Sequence, residues 1–213
     1  MGLNSSGSNT SVNYLSISDG KIAKRVKTEE PGTVKCTSKD GSKTWWEHRY
    51  DSVSGKITGV RKKDSDMGFG SKLQIEITDG IDKFVLEMPW SSRYSSGFFL
   101  CMPNIETSKN VVFNPWMKVI DGTKKTMLYL KYENSNENIK HYWTKDEPNG
   151  LPQMQKLRVK GQDVWDDSER QEFFEKHLND IFLPQVKAVS SVKKLDSYGA
   201  ADITEDPGDD LPF

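Results

Sequence analysis

Residues 72–88 read KLQIEITDGIDKFVLEM, and the fold class turns on this stretch. Leu73, Ile75 and Ile77 alternate with Lys72, Gln74, Glu76 and Thr78, the period-2 pattern of a half-buried strand, Lys72–Thr78. Beyond Asp79-Gly80, the segment Ile81–Met88 repeats an apolar face through Phe84, Leu86 and Met88. Asp-Gly tolerates the positive φ angles of tight turns, so the two segments are expected to form a hairpin.

The same punctuation recurs on both sides. Asp-Gly stands at residues 19–20, 40–41 and 121–122, and Ser54-Gly55 is a further turn candidate. Val12–Ser18 is expected to pair with Lys21–Val26, Lys43–Val53 with Lys56–Lys62, and Met117–Ile120 with Thr126–Tyr132. Many short strands with frequent turns argue for a small barrel or sandwich, and a barrel is the expectation here. One helix is expected, over 168–183. Ser168 can cap it with Gln171 three residues on, and Asp166, Asp167 and Glu169 suit the positive end of its dipole. Phe173, Phe174, His177, Leu178, Ile181 and Phe182 then recur at helical spacing up to Pro184, a core-packing stripe that would brace the barrel.

The chain of 213 residues suits one medium domain with tails, or at most two small ones. The expected organisation is a flexible arm at 1–13, a β domain at 14–190 and a disordered acidic tail at 191–213. No apolar run is long enough to cross a bilayer, and Met1–Asn13 lacks a signal core. Cys36 and Cys101 have no metal-ligand spacing and read as reduced thiols; His48, His141 and His177 are scattered. These features point to a cytoplasmic protein with no metal, cofactor or membrane. No Walker loop, zinc spacing or nucleophile elbow is present; Asp64/Asp66 read as a turn and Asp166/Asp167 as a helix start. An enzyme is not expected.

The net charge of −1 hides an asymmetry. Residues 196–213 carry six acidic and no basic side chains, leaving 30 basic and 25 acidic residues on 1–195, a net of +5. A basic body with an acidic end fits a polyanionic ligand and a tail that mimics it.

Aromatic residues make up 10% of the chain, six of them Trp. From Lys43 to Lys63 they interleave with cations: Lys43, Trp45, Trp46, His48, Arg49, Tyr50, Lys56, Arg61, Lys62 and Lys63, against Glu47 and Asp51 alone. Aromatic faces stack on unpaired bases while cations follow phosphates, so this pattern suits single-stranded nucleic acid. Alternation puts Trp46, His48 and Tyr50 on one face and Lys43, Trp45 and Arg49 on the other; one face must be core, and Trp45 with Arg49 is favoured as the exposed one. Trp90, Arg93 and Tyr94 form a second cluster in a polar loop, with barrel capping as the rival role of Trp90. Phe69 is a flexible-loop candidate. Trp116, beside Lys118, and Tyr142-Trp143, beside Lys140 and Lys145, read slightly better as core, though Trp116 is kept among the DNA-binding candidates.

The sequence ends Asp209-Asp210-Leu211-Pro212-Phe213, after Glu205 and Asp206. As a natural terminus, a phenyl ring with a free carboxylate suits an apolar pocket rimmed by Arg or Lys. This ending resembles the C-terminal peptide of bacterial and phage single-stranded DNA-binding proteins, which finish in acidic residues, an apolar residue, Pro and Phe. The match covers the tail directly and the rest only in architecture. The resemblance implies a five-stranded Greek-key barrel of the OB-fold type, here with extra hairpins, one C-terminal helix and the acidic tail. It implies binding of single-stranded DNA during replication, recombination and repair. It also implies that the tail recruits a polymerase, helicase-primase or nuclease and occupies the DNA groove when DNA is absent. The linker is short and the body Trp-rich, more like phage-encoded replication members; the tetramer common among bacterial members is not carried over, and self-association stays open. Rival readings are a Trp-rich carbohydrate-binding or virion module and a sliding-clamp-associated factor.

Overall fold

A computed structural model describes residues 12–38, 40–64, 70–159 and 161–189. The described residues form eleven strands: β1 Asn13–Ser18, β2 Lys21–Val26, β3 Val34–Thr37, β4 Thr44–Tyr50, β5 Val53–Lys63, β6 Lys72–Asp79, β7 Asp82–Pro89, β8 Asn110–Ile120, β9 Thr123–Tyr132, β10 Gln155–Val159 and β11 Gln162–Asp166. Helix α1 spans Arg93–Cys101, with a 3-10 turn at Met102–Asn104, and helix α2 spans Ser168–His177.

The protein is mainly β, and nine strands make one curled half-barrel sheet in the order β3-β4-β2-β1-β7-β6-β5-β8-β9. Three of the expected hairpins form: β1 with β2, β6 with β7, and β8 with β9. The last is much longer than expected, because alternation runs unbroken from Asn110. Asp19 (φ 48°) with Gly20 (75°), and Asp121 (49°) with Gly122 (71°), hold both central residues at positive φ. That geometry matches the right-handed twist of the paired strands.

The expected pairing of Lys43–Val53 with Lys56–Lys62 does not form. β4 and β5 are consecutive, yet β4 pairs with β2 and β3, while β5 pairs with β6 and β8. Ser54-Gly55 is not a turn but part of β5. A side chain at Gly55 would put its Cβ 2.7 Å from the Thr78 carbonyl oxygen and 2.8 Å from Ile77 Cγ2, so glycine is there for close passage.

The sheet's inner face carries Leu15, Ile22, Ile57, Leu73, Ile75, Leu86, Val111, Phe113, Leu128 and Leu130, all buried. Helix α1 covers this face. Ser92 caps it by accepting from the Ser95 N–H at 3.1 Å, and Gly97 lets it approach β9, since a Cβ there would lie 2.7 Å from the Leu128 carbonyl oxygen. The helix was missed in the sequence because RYSSGFFLC has no polar and apolar stripes: Phe98 and Phe99 are both fully buried.

Helix α2 packs on α1. Phe174 stacks on Phe99 at 4.9 Å between centroids, and Phe182 meets Phe98 edge-on at 5.8 Å. Its cap is Asp167 and not Ser168, with the Gln171 side-chain amide donating to Asp167 Oδ2 at 2.8 Å. Pro184 does not end it. A π turn at Leu178–Phe182 precedes the proline, and helical backbone continues over 183–189. The π turn adds a residue to the repeat, so Leu178, Phe182 and Val186 face inward while Ile181 is exposed.

The curl is tied across its mouth. Lys124 in β9 pairs with Asp19 in the β1–β2 turn at 2.7 Å, and the Tyr94 hydroxyl bonds to the Gly20 backbone. The ammonium of Lys124 lowers the Asp19 carboxyl pKa, mainly through its hydrogen bond.

Candidate nucleic-acid interface

β8 and β9 form a long ribbon with two unlike faces. Val111, Phe113, Pro115, Leu128 and Leu130 point into the core. The alternate residues, 112–120 on β8 and 123–131 on β9, point out and include no Asp or Glu. Among them Trp116 and Tyr129 are each 38% exposed. The register sets Asn114 opposite Tyr129, Trp116 opposite Met127, and Lys118 opposite Lys125. Trp116 therefore has Tyr129 and Lys125 as its diagonal neighbours and Lys118 next on its own strand, with Lys131 beyond Tyr129.

Lys118 directly opposite Lys125 breaks a pairing rule, because like charges facing each other across a ribbon repel. Nothing acidic on that outward face offsets them. An arriving phosphate would. The arrangement offers two rings at the spacing of strand neighbours and cations beside both. Trp116 was expected as core with DNA contact as its alternative role; the structure exposes it. Tyr129, Lys125 and Lys131 were missed. The signal was legible in TKKTMLYLKY, where Leu128 and Leu130 mark the inner face and put those three on the outer one.

The Lys43–Lys63 cluster is divided. Trp45, Glu47 and Arg49 share one face of β4, and Trp46, His48 and Tyr50 the other, as alternation predicts. Neither face is core, because β4 lies near the sheet's end; Glu47 alone is buried, at 4% exposure. The Trp45 indole N–H donates to Glu47 Oε1 at 2.6 Å, and Arg49 Nη2 lies 3.4 Å from Glu47 Oε2 and 3.3 Å from Ser18 Oγ, to which it donates. The Arg25 guanidinium covers the Trp45 ring at 4.3 Å. Trp45 and Arg49, favoured as exposed, are thus half-buried and tied into an internal network. Burial, and then the Glu47 carboxylate, raise the pKa of the nearby Cys36 thiol. On the other face Lys35 lies 5.9 Å from the Trp46 ring, His48 bonds Glu30 at 2.9 Å, and Tyr50 is exposed. Lys43 is exposed before β4.

Trp90 does not face solvent. It is 5% exposed, 4.7 Å from the Phe99 ring, with Lys62 Nζ 5.2 Å from its own ring. Capping the core, its rival role, is what it does. Lys62 is also spent on Glu175 at 2.6 Å, and Arg61 pairs with Glu76 at 3.4 Å and donates to Gln74 at 2.6 Å. Lys63 is exposed at the end of β5. Arg93 is exposed, but it opens α1 and is not in a loop; Tyr94 is half-buried on that helix, and burial raises its pKa. Trp143 is buried among Phe173, Phe174 and His177, whereas Tyr142 is exposed. Phe69 and the tail residues Asp206, Asp209, Asp210, Leu211, Pro212 and Phe213 lie outside the described residues.

Comparison with protein-family models, with curated proteins and with solved structures finds no match for this chain.

Proposed function

We propose that the protein binds single-stranded DNA, with the outward face of the β8–β9 ribbon as its principal contact. The observation that carries this reading is the opposed pair Lys118 and Lys125, followed along the same face by the exposed rings of Trp116 and then Tyr129, with no carboxylate among the ribbon's outward residues. Stacking is worth about 1–3 kcal/mol per base and tolerates any sequence, and lysines follow the phosphates. The net of +5 on residues 1–195 supports the same ligand.

The strand order supports an OB-fold-like core. β5, β6 and β7 are successive hairpin neighbours, and β8 returns after α1 to lie beside β5, giving the spatial order β8-β5-β6-β7. That is the order of a Greek key, and the five strands β5–β9 suit a partly open barrel of the oligonucleotide-binding kind, with β1–β4 as added strands. In such barrels the loop between the fourth and fifth strands is a ligand contact, which here is the tip of the β8–β9 ribbon. The acidic segment 196–213 is read with it, as a competitor for the cationic face and a recruiter of replication and repair proteins.

The direct test is titration of the full chain with labelled oligo-dT at low salt, followed by tryptophan quenching and anisotropy. The expected result is saturable binding that weakens steeply with salt as counterions are released. A protein that ignores oligo-dT in dilute buffer, or holds it with no salt dependence, overturns the reading. The second result would favour a sugar-stacking module, whose affinity salt leaves unchanged.

A further inference from the structure

β10 and β11 form a two-stranded ribbon of their own, apart from the large sheet. A lone hairpin is marginal in water, and this one buries little: Leu157 is 43% exposed, Val164 47% and Trp165 58%. No other tryptophan among the described residues is as open to solvent as Trp165. The ribbon contributes no residue to the core cluster, so the Trp165 indole presents its face to a stacking ligand.

The register sorts the ribbon's faces. Lys156 stands opposite Trp165, and Arg158 opposite Asp163, all four on one side; Leu157 and Val164 pair on the other. Lys156 also reaches Asp163, at 2.6 Å. The face with Trp165 therefore holds one ring, two cations and one carboxylate, a net of one positive charge. It repeats, more weakly, the pattern of the β8–β9 ribbon, where Trp116 has Lys118 along its strand and Lys125 on the diagonal. With Lys156 engaged by Asp163, charge and ring favour a stacked nucleotide with its phosphate against Arg158 over an apolar protein partner, which would select the opposite face.

We infer that the β10–β11 ribbon is a second single-stranded DNA contact, which stacks a base on Trp165 and comes into play only when the strand is longer than the main site. This inference rests on the binding function proposed above. The ribbon then acts as an arm that extends the site, so affinity rises with strand length beyond what the β8–β9 face alone supplies.

The experiment compares wild-type full-length protein with Trp165→Ala and Trp165→Phe on labelled oligo-dT of about 8 and about 30 nucleotides, the shorter within the span of one such domain. Trp165→Ala is expected to weaken binding of the longer strand about fivefold or more, to leave the shorter one unchanged, and to be largely rescued by Trp165→Phe. Unaltered circular dichroism and melting would show that the fold is intact, as an exposed arm residue predicts. Equal affinity of wild type and Trp165→Ala for the longer strand overturns the arm while leaving the main site standing. So does an equal loss on both lengths, because the residue would then belong to the main site. If wild type binds neither strand, the functional reading itself fails, and the arm with it.

Discussion

Trp116 and Tyr129 stand diagonally across the β8–β9 ribbon, on the same outward face, each with a lysine two residues farther along its own strand. Their equal exposure of 38% separates them from Trp90, which is sealed against Phe99 although its stretch of sequence, LEMPWSSRY, is more polar than the VFNPWMKVI around Trp116.

Replacement by alanine should therefore split these aromatics into two kinds. Trp116→Ala and Tyr129→Ala are each expected to weaken oligo-dT binding by about 1–3 kcal/mol with little change in stability. Trp90→Ala should instead lower stability by about 3–5 kcal/mol through the cavity it leaves. Urea unfolding beside an anisotropy titration reads both quantities, and unchanged affinity in Trp116→Ala with an intact fold would remove that ring from the site.

The opposed lysines predict a change in salt dependence. Each phosphate contact to a single strand contributes about 0.7 to the slope of log affinity against log salt. The double change Lys118→Ala and Lys125→Ala should flatten that slope by about 1.4, two such contacts. The fold should gain slightly or stay level, because the two like charges no longer face each other. A slope equal to that of wild type would place the phosphates elsewhere.

Glu47 predicts a stability effect in the stretch richest in aromatics and cations. Its buried carboxylate receives the Trp45 N–H and faces Arg49. Glu47→Ala leaves both groups short of a partner in a partly dry site and should cost about 1–3 kcal/mol, with a smaller loss for Glu47→Gln, which keeps an acceptor. The midpoint of urea unfolding measures this. If the alanine variant is as stable as wild type, the network is not structural.

Cys101 predicts a pH effect. Burial pushes its thiol up to about 12 from an ordinary 9.0. Between those values the unfolded chain has lost the proton and the folded chain still holds it, so this group's stabilisation is complete below about pH 9 and is lost as pH rises toward 12. Urea midpoints at pH 8 and pH 10.5 should differ less in Cys101→Ala than in wild type. The native thiol should also resist iodoacetamide at pH 8 until the protein unfolds.

Much of the β architecture could be read locally. The alternation of Leu73, Ile75 and Ile77 and the Asp-Gly turns at 19–20, 79–80 and 121–122 specify hairpins without reference to the rest of the chain, because period and turn geometry are short-range properties. The hydrophobic stripe of α2 is local as well. Its phase past His177 is not, because the π turn that hides Phe182 and exposes Ile181 forms ahead of Pro184 and against α1.

Which strand pairs with which was a tertiary decision. Nothing within 43–63 says that β4 turns away from β5 to join β2, and that separation withdrew Trp45 and Arg49 into a network with Glu47. Exposure of the aromatics was decided in the same way. Trp90 and Trp116 each follow a proline and have a basic residue within three positions, yet one packs under Lys62 and Phe99 and the other faces water. Residue types and their period determine what a strand's two faces can do. Only the packing of distant segments determines which face is covered, because burial depends on neighbours that the local sequence does not contain.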